Sequence, residues 1–377
     1  MSVVFIHVGL PKTGTTHLQD RLWWNRDLAF RHSGLLYPGN EMADHFHAAT
    51  HLQPSRYLDW VDPAFAGRWS TMVSQMRAWP GTSLVSHELF ATAREEQIES
   101  MVNDLSFADE VHVVVTVRDL ARQLPSVWQE NVKNQRLASF DDFVTSVRRH
   151  APRRTGSWGG DMEEEPFWEF QDYVGILGRW AKFVGPERAH LVTVAKPGTG
   201  ASSLWDRFLS VLDVDPTPMT IDVPNNNTSL SAAQAELLRR LNSRLQPEDI
   251  EWDRYERVVK GHIIAKVLFA QTGGTPRGLS TEQRAWAADE AETMIDAVRV
   301  AGYPVTGDLG DLSVSTMAGD DAQPPTVDQI LDASLDAIAG IAQTMPYPET
   351  AARLQTRAAN IARRVGRRLV SARHRLG

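Results

Sequence analysis

The chain has 377 residues, 42% of them apolar, no cysteine and a formal net charge of −8. That length holds one large α/β domain with a tail, or two domains, and the missing thiols exclude disulfides and thiolate metal sites. Eight arginines against one glutamate give residues 346–377 a charge of +7 and leave −15 for the rest, and a body that acidic argues against nucleic acid as the partner. No basic leader opens the sequence and no apolar run reaches the eighteen or so residues that span a bilayer, so a cytoplasmic protein is expected.

Residues 3–8 are mostly β-branched or aromatic and read as a short buried strand. A Gly/Pro turn follows, and from Thr15 the residues Leu18, Leu22 and Trp23 fall at helical spacing. Strand, glycine-containing turn and helix N-terminus form an arrangement that binds phosphate, because free N–H groups and the positive end of the helix dipole face the anion. Gly14 would let the backbone approach, Lys12 would supply a point charge, and Thr13, Thr15 and Thr16 would supply hydroxyls. Residues 34–38 read as a short extended piece, and 41–51 as a histidine-rich stretch carrying His45, His47 and His51. A helix over 63–79 opens at Pro63. Pro80-Gly81 ends it, and 82–86 is a second strand running into His87 and Glu88. Residues 94–105 are helical in pattern, and 111–117 is the clearest strand, ending at Arg118-Asp119. Helices to about Asn134 and over 139–150 follow, the second opened by Ser139 and Asp142 in a capping-box-like pair. After the loop-like stretch 151–166, the residues Phe167, Phe170, Val174, Leu177 and Trp180 mark one helix face. Residues 190–195 form a fourth strand, with helices near 203–213, 231–246, 250–270 and 280–301. Near-continuous apolar strands alternating with helices predict an α/β fold, a P-loop-type parallel sheet of four to five strands with helices on both faces and a helical C-terminal extension. The ligand belongs at the carboxyl ends of the strands, where Lys12, His87, Glu88 and Arg118 fall.

The loop is not the nucleoside-triphosphate version, G-x-x-x-x-G-K-[ST], whose lysine follows the second glycine. In Pro11-Lys12-Thr13-Gly14-Thr15-Thr16 the lysine precedes the glycine. The segment resembles the 5′-phosphosulfate loop of the sulfotransferases that use 3′-phosphoadenosine 5′-phosphosulfate (PAPS). Residues 113–119, with Ser126 eight residues past Arg118, resemble that family's second signature, in which a strand-end arginine and a helix serine bind the 3′-phosphate. A guanidinium fork and a hydroxyl suit that group. Pro125, just before the serine, departs from an ordinary helix and is expected to kink it. Residues 224–231 resemble the N-x-S-L-S turn of bacterial members, which would bring Asn227 and Ser229 near the nucleotide; by their own chemistry they cap a helix from Ala232. Thr193 suits an adenine contact or a plain core strand equally. The resemblance covers about residues 1–305, the expected catalytic domain. It implies in-line sulfuryl transfer from PAPS, as co-substrate, to a hydroxyl or amine, with no metal. Residues 11–16, Arg118, Ser126, Asn227 and Ser229 would then bind PAPS, and Lys12 would neutralise the charge growing on the leaving phosphate oxygen.

The acceptor's proton needs a base. Ser86-His87-Glu88 resembles the S-x-E of bacterial relatives, and since strand neighbours point to opposite faces, one of His87 and Glu88 faces the cleft. Glu88 is favoured, then His87, then His47, which follows the loop at about the distance where other members place a catalytic glutamate. With His51 and Asp44, His47 also suits a metal, although histidines of this kind are more often structural. Trp158 and Trp168, beside the 151–166 loop, would wall the cleft for a sugar or flat apolar acceptor, so a small molecule, glycan or glycolipid is the expected partner. Residues 306–326 read as a linker and 327–377 as a helical tail. Its second half, from Pro348, puts Leu354, Ala358, Ile361, Val365, Leu369, Ala372 and Leu376 on one stripe among arginines. Such a helix suits peripheral contact with an anionic membrane, or packing on the acidic body or a partner chain. Two other functions stay open: a kinase or NTPase of the same broad fold, which the displaced lysine disfavours, and an inactive nucleotide- or glycan-binding module.

Overall fold

The computed structural model describes residues 1–57, 60–152, 166–223, 229–271, 273–316 and 322–345. Among these residues, six parallel strands form one sheet in the order β2-β3-β1-β4-β5-β6. They are β1 (Val3–His7), β2 (Leu35–Leu36), β3 (Thr82–Ser86), β4 (Glu110–Val117), β5 (Ala189–Thr193) and β6 (Val305–Thr306). β1 lies at the centre, pairing Ile6 with Val85 on one side and Val113 on the other. Because side chains alternate along a strand, each strand serves both faces. Phe5, Leu84, Val114 and Val192 pack with Leu18 and Leu22 of α1 (Thr15–Ser33) and Phe208 and Leu209 of α9 (Leu204–Val211). Val4, Ile6, Val85, Val113 and Val115 face the larger core. That core includes Met72 and Met76 of α3 (Arg68–Arg77), Trp180 of α8 (Tyr173–Val184) and Ile295 of α12 (Thr281–Ala301). Helices on both sides bury every central strand, which is why the strands read as unbroken apolar runs.

Local chemistry places the remaining elements. The histidine-rich stretch is α2 (Asp44–Leu52), and the expected 63–79 helix is a 3-10 turn over Pro63–Phe65 followed, past Gly67, by α3. α4 (Glu95–Asp104), α5 (Leu120–Lys133) and α6 (Phe140–Arg149) flank β4 in sequence. The helix expected through Phe167 and Trp180 is two, α7 (Phe167–Gln171) and α8, because the Asp172 carboxylate caps Gly175 N–H at 3.0 Å and starts a new helix. α10 (Ala232–Asn242) opens at Ser231, whose capping box with Gln234 matches the expected N-cap. α11 (Trp252–Tyr255) passes into a π-helix over Glu256–Leu268.

The sixth strand lies at the boundary where a linker was expected. Val305 and Thr306 pair with Leu191 and Val192 of β5. The turn beyond is tied down by Asp311, whose carboxylate meets Arg207 of α9 at 2.6 Å, and by buried Leu312. Two residues are too few to show strand periodicity, so the glycines and aspartates there read as linker alone. α13 (Val327–Thr344), capped by Thr326 and Gln329, packs Ile330, Ala333 and Ala337 inward near α10 and the π-helix. The basic stretch 346–377 lies outside the described residues, as do most of the 151–166 loop and Asn227. Among the described residues no helix is long and apolar enough to cross a membrane.

Candidate anion-binding site

All six strands point the same way, so the loops after β1, β3 and β4 meet at one edge. The loop after β1 continues the ladder with β4: Val8 N–H donates to Val114 O at 3.0 Å and Leu10 N–H to Thr116 O at 3.1 Å. Two glycines permit its path. Gly9 has φ 103° and lies so close to Glu88 that an added Cβ would stand 3.0 Å from the Glu88 Cβ. Gly14 has φ 104°, and a Cβ there would meet Leu204 Cδ2 at 2.8 Å. Lys12 itself adopts a positive φ of 66°. Pro11 offers its carbonyl to two buried amides, Gln123 Nε2 at 2.6 Å and Gln171 Nε2 at 3.2 Å.

Gly14 is the N-cap of α1 and has no side chain to cap with, so the first-turn N–H groups of Thr15, Thr16 and His17 are left for an anion. The three threonines are not equivalent. Thr16 is exposed at the helix start and Thr15 is buried. Thr13 is also buried, its hydroxyl 2.6 Å from both Leu10 O and Thr116 Oγ1. The Thr13 hydroxyl thus holds the loop to β4 in this structure. Lys12 Nζ pairs with Glu130 of α5 at 3.0 Å, and Lys133 approaches the same carboxylate at 3.5 Å. Burial pushes the Glu130 carboxyl up, but the two lysines outweigh it and hold it below its ordinary value.

Arg118, at the end of β4, donates from Nε to Gln123 Oε1 at 3.1 Å and from a terminal nitrogen to Arg122 O at 2.9 Å. Its neighbour Asp119 is committed elsewhere, capping α5 through Arg122 N–H at 3.0 Å and pairing with the Arg122 guanidinium. Arg118 therefore has no carboxylate partner among the described residues. Burial, with Arg122 beside it, pulls its pKa down to about 10, which leaves it charged at neutral pH. Gln123 joins the two halves, donating to Pro11 O and accepting from Arg118. Ser126 is half-buried on α5, one turn past Arg122 and one before Glu130, and its hydroxyl has no hydrogen-bond partner among the described residues. α5 runs on through Pro125 as one helix to Lys133, so the proline does not displace the serine from it. Exposed Ser229 adjoins Leu230, whose N–H and C=O are both held by Gln129 of α5 at 3.0 and 3.1 Å.

On the other side of the loop, Glu88 opens a short 3-10 turn and accepts from Gln19 Nε2 of α1 at 3.2 Å. Gln19 also reaches Ser86 Oγ at 3.3 Å, and that hydroxyl lies 2.7 Å from Nδ1 of fully buried His7. Burial lowers His7 to about 4, keeping it neutral. The His87 Nδ1 accepts Leu89 N–H at 3.2 Å as the N-cap of the 3-10 turn, and burial lowers that ring's pKa as well. His47 is set apart. It stacks on Phe65 at 3.7 Å, and its ionisable neighbours are Asp44, Arg68, His51 and Asp62. His45 packs against Tyr37, with one nitrogen 2.9 Å from Pro38 O and the other accepting Ser86 N–H at 3.3 Å, which is a structural role. Asp44 is taken by Arg68 and by the N–H groups of Asn40 and Glu41. No three His, Asp or Glu side chains converge as a metal site among the described residues.

One expectation fails for packing reasons, and one open choice is decided. Trp168 is buried and donates to Val147 O at 2.8 Å, so it belongs to the core and not to a wall of the cleft. Thr193 is buried too, its hydroxyl receiving from Arg207 at 2.7 Å and lying 2.8 Å from Asp311, which withdraws it from any adenine contact. Conversely, Gln19, Gln123, Gln171, Glu130 and His7 shape the site without having stood out in the sequence. Glu130 alone had a local signal, falling four residues after Ser126 on one helix face.

Compared with known protein families and with curated proteins, the chain matches none. Among solved structures it is similar to a sulfotransferase from Alicyclobacillus acidocaldarius, with 15% identity, 68% of this chain and 95% of that chain covered, and a TM-score of 0.32. At that TM-score the likeness decides nothing about this site.

Proposed function

We propose that the loop 9–16 and the Arg118–Ser126 face form one site for a nucleotide with phosphates at two positions, and that the chain is a PAPS-dependent sulfotransferase. The observation that carries this reading is Gln123, which holds the loop carbonyl of Pro11 at 2.6 Å and the carboxylate-free Arg118 at 3.1 Å. A single amide thus ties the loop before an uncapped helix N-terminus to a second cation that has no carboxylate partner among the described residues. A ligand with one phosphate satisfies one of these anion positions, whereas a 3′,5′-bisphosphate satisfies both. The residues fit such a donor: the first-turn N–H groups of α1 and Lys12 face the 5′ side, and Arg118 with the free Ser126 hydroxyl faces the 3′ side. PAPS, when bound, supplies an activated sulfuryl group.

The chain's own contribution is to hold, orient and neutralise. Lys12 leaves Glu130 to meet the 5′ anion. Glu88, against Gly9 and oriented by Gln19, takes the proton of an acceptor hydroxyl or amine. Glu88 is better placed for this than His87, whose Nδ1 is spent on the turn, or His47, which packs on Phe65. A small molecule, glycan or glycolipid is the acceptor class.

The test is thermal stabilisation by adenosine 3′,5′-bisphosphate against ATP, on the wild type and Arg118→Ala. At a hundred times its dissociation constant the preferred ligand adds about 2.7 kcal/mol. Preference for the bisphosphate, lost in Arg118→Ala, is the expected result. Equal or better stabilisation by ATP would overturn it in favour of a kinase or NTPase. Bisphosphate binding without turnover of PAPS on any acceptor would leave a binding module.

A further inference from the structure

α13 buries one face and leaves a second apolar stripe uncovered. Ile330, Ala333 and Ala337 point inward, but Val327, Leu331, Leu335, Ile338 and Met345 are 54–71% exposed. Through Ala342, also exposed, these positions step back from Met345 by 3, 4, 3, 4 and 4 residues. Apolar residues at that spacing form one continuous seam along a helix, of the kind that packs against another helix. Asp328, Asp332 and Asp336 run beside the stripe, and α13 carries no basic residue.

The chain beyond Met345 repeats the spacing in the opposite sense. Ala351, Leu354, Ala358, Ile361, Val365 and Leu369 step forward by 3, 4, 3, 4 and 4. Five residues, 346–350 with prolines at 346 and 348, separate the two series. Proline stops α13 from continuing, and a connector of that length joins antiparallel neighbouring helices. A chain that turned back there would set Ile338 beside Ala358, Leu335 beside Ile361, Leu331 beside Val365 and Val327 beside Leu369. Net charge also favours the contact: 346–377 carries +7, and the exposed face it would meet carries three aspartates.

We propose that residues 351–372 of this same chain are the occupant of the exposed α13 stripe, docked as an antiparallel helix. The apolar stripe of the tail is then consumed within the molecule and its arginines are left outward. A membrane, or the tail of a second copy, would be the alternative occupants.

Because the chain has no cysteine, introduced pairs report on this directly. The full chain carrying Leu335→Cys with Ile361→Cys is oxidised beside one carrying Leu335→Cys with Arg363→Cys. Position 363 lies two residues on, and so on the far side of the tail helix. A disulfide needs Cβ atoms about 4 Å apart. The seam pair is expected to close within one chain, at monomer mass, about tenfold faster than the off-seam pair, since a tether alone favours neither. If these substitutions loosen the seam, Ala342→Cys with Leu354→Cys, two turns nearer the connector, should give the same ordering. Equal rates for seam and off-seam pairs would overturn the proposal, and so would crosslinks at twice the chain mass, which would make a second copy the occupant. Added phosphatidylserine vesicles are expected to leave the seam crosslink unchanged. Loss of that crosslink as the chain floats with the vesicles would assign the stripe to the membrane and overturn the hairpin.

Discussion

Two arginines at the same edge of the sheet have opposite surroundings. Arg207, past β5, is buried and makes a closed set: Thr193 O at 2.9 Å, the Thr193 hydroxyl at 2.7 Å and Asp311 at 2.6 Å. Arg118, past β4, gives its hydrogen bonds among the described residues to neutral oxygens, those of Gln123 and the Arg122 carbonyl. A buried charge is normally paired, because desolvation otherwise goes uncompensated. Arg207 follows that rule and fastens β6 and the 307–312 turn to the sheet. Arg118, half-buried, has no such ion pair among the described residues, and the adjacent Asp119 carboxylate bonds to Arg122 instead. A guanidinium without a carboxylate partner, tied through Gln123 to the loop before an uncapped helix start, is what an anion site requires before its ligand arrives. The same residue type is a fastener at one strand end and, in our reading, a receptor at the next.

The contrast can be broken at either end. The largest effect is expected for Asp311→Ala, which strands the Arg207 charge in the interior and should cost about 3–5 kcal/mol. Urea unfolding measures this, and a loss under 1 kcal/mol would deny Arg207 its fastening role. Next comes acid. Burial depresses His7 and His45 from 6.5 to about 4. The unfolded chain then takes up each proton first. Stability is full above about pH 6.5 and drains as pH falls towards 4, by on the order of 3 kcal/mol per group. Unfolding midpoints between pH 7.5 and 4.5 should show the slope, and His7→Gln should flatten it; a flat wild-type profile would contradict the burial.

Arg118→Ala sharpens the comparison from the other side. Ligand-free stability should change by no more than about 1 kcal/mol, since two hydrogen bonds go but a cation without a carboxylate partner also leaves a half-buried place. The bisphosphate's stabilisation, about 2.7 kcal/mol at a hundred times its dissociation constant, should vanish. A large ligand-free loss with binding intact would make Arg118 a second fastener. The smallest effect belongs to Glu130→Gln. The Lys12–Glu130 pair is partly exposed and contributes no more than about 1 kcal/mol. Removing the carboxylate that competes for Lys12 should therefore tighten bisphosphate binding a few-fold with little change in melting temperature. Weaker binding would show that Glu130 orients Lys12 and does not compete with the ligand.

Much of this was legible along the chain. Apolar runs such as Val111–Val117, separated by helical periods, specify a two-sided parallel sheet, because only burial on both faces calls for such strands. The Gly9–Thr16 turn, the Ser231 cap and Arg118 at a strand end are local patterns with local causes, and each lies where its pattern put it. What a linear reading missed are partnerships across long separations. Glu130 meets Lys12 from 118 residues away, Gln171 reaches Pro11 across 160, and Asp311 captures Thr193 across 118. The same distance effect moved Trp168 from the expected cleft wall into the interior, decided for Thr193 the core strand over an adenine contact, and left Arg118 without a carboxylate partner among the described residues. Periodicity and turn chemistry are properties of neighbours in sequence, so one chain displays them unaided. Which side chain ends up satisfied, and which is left for a ligand, depends on donors and acceptors that only folding brings together.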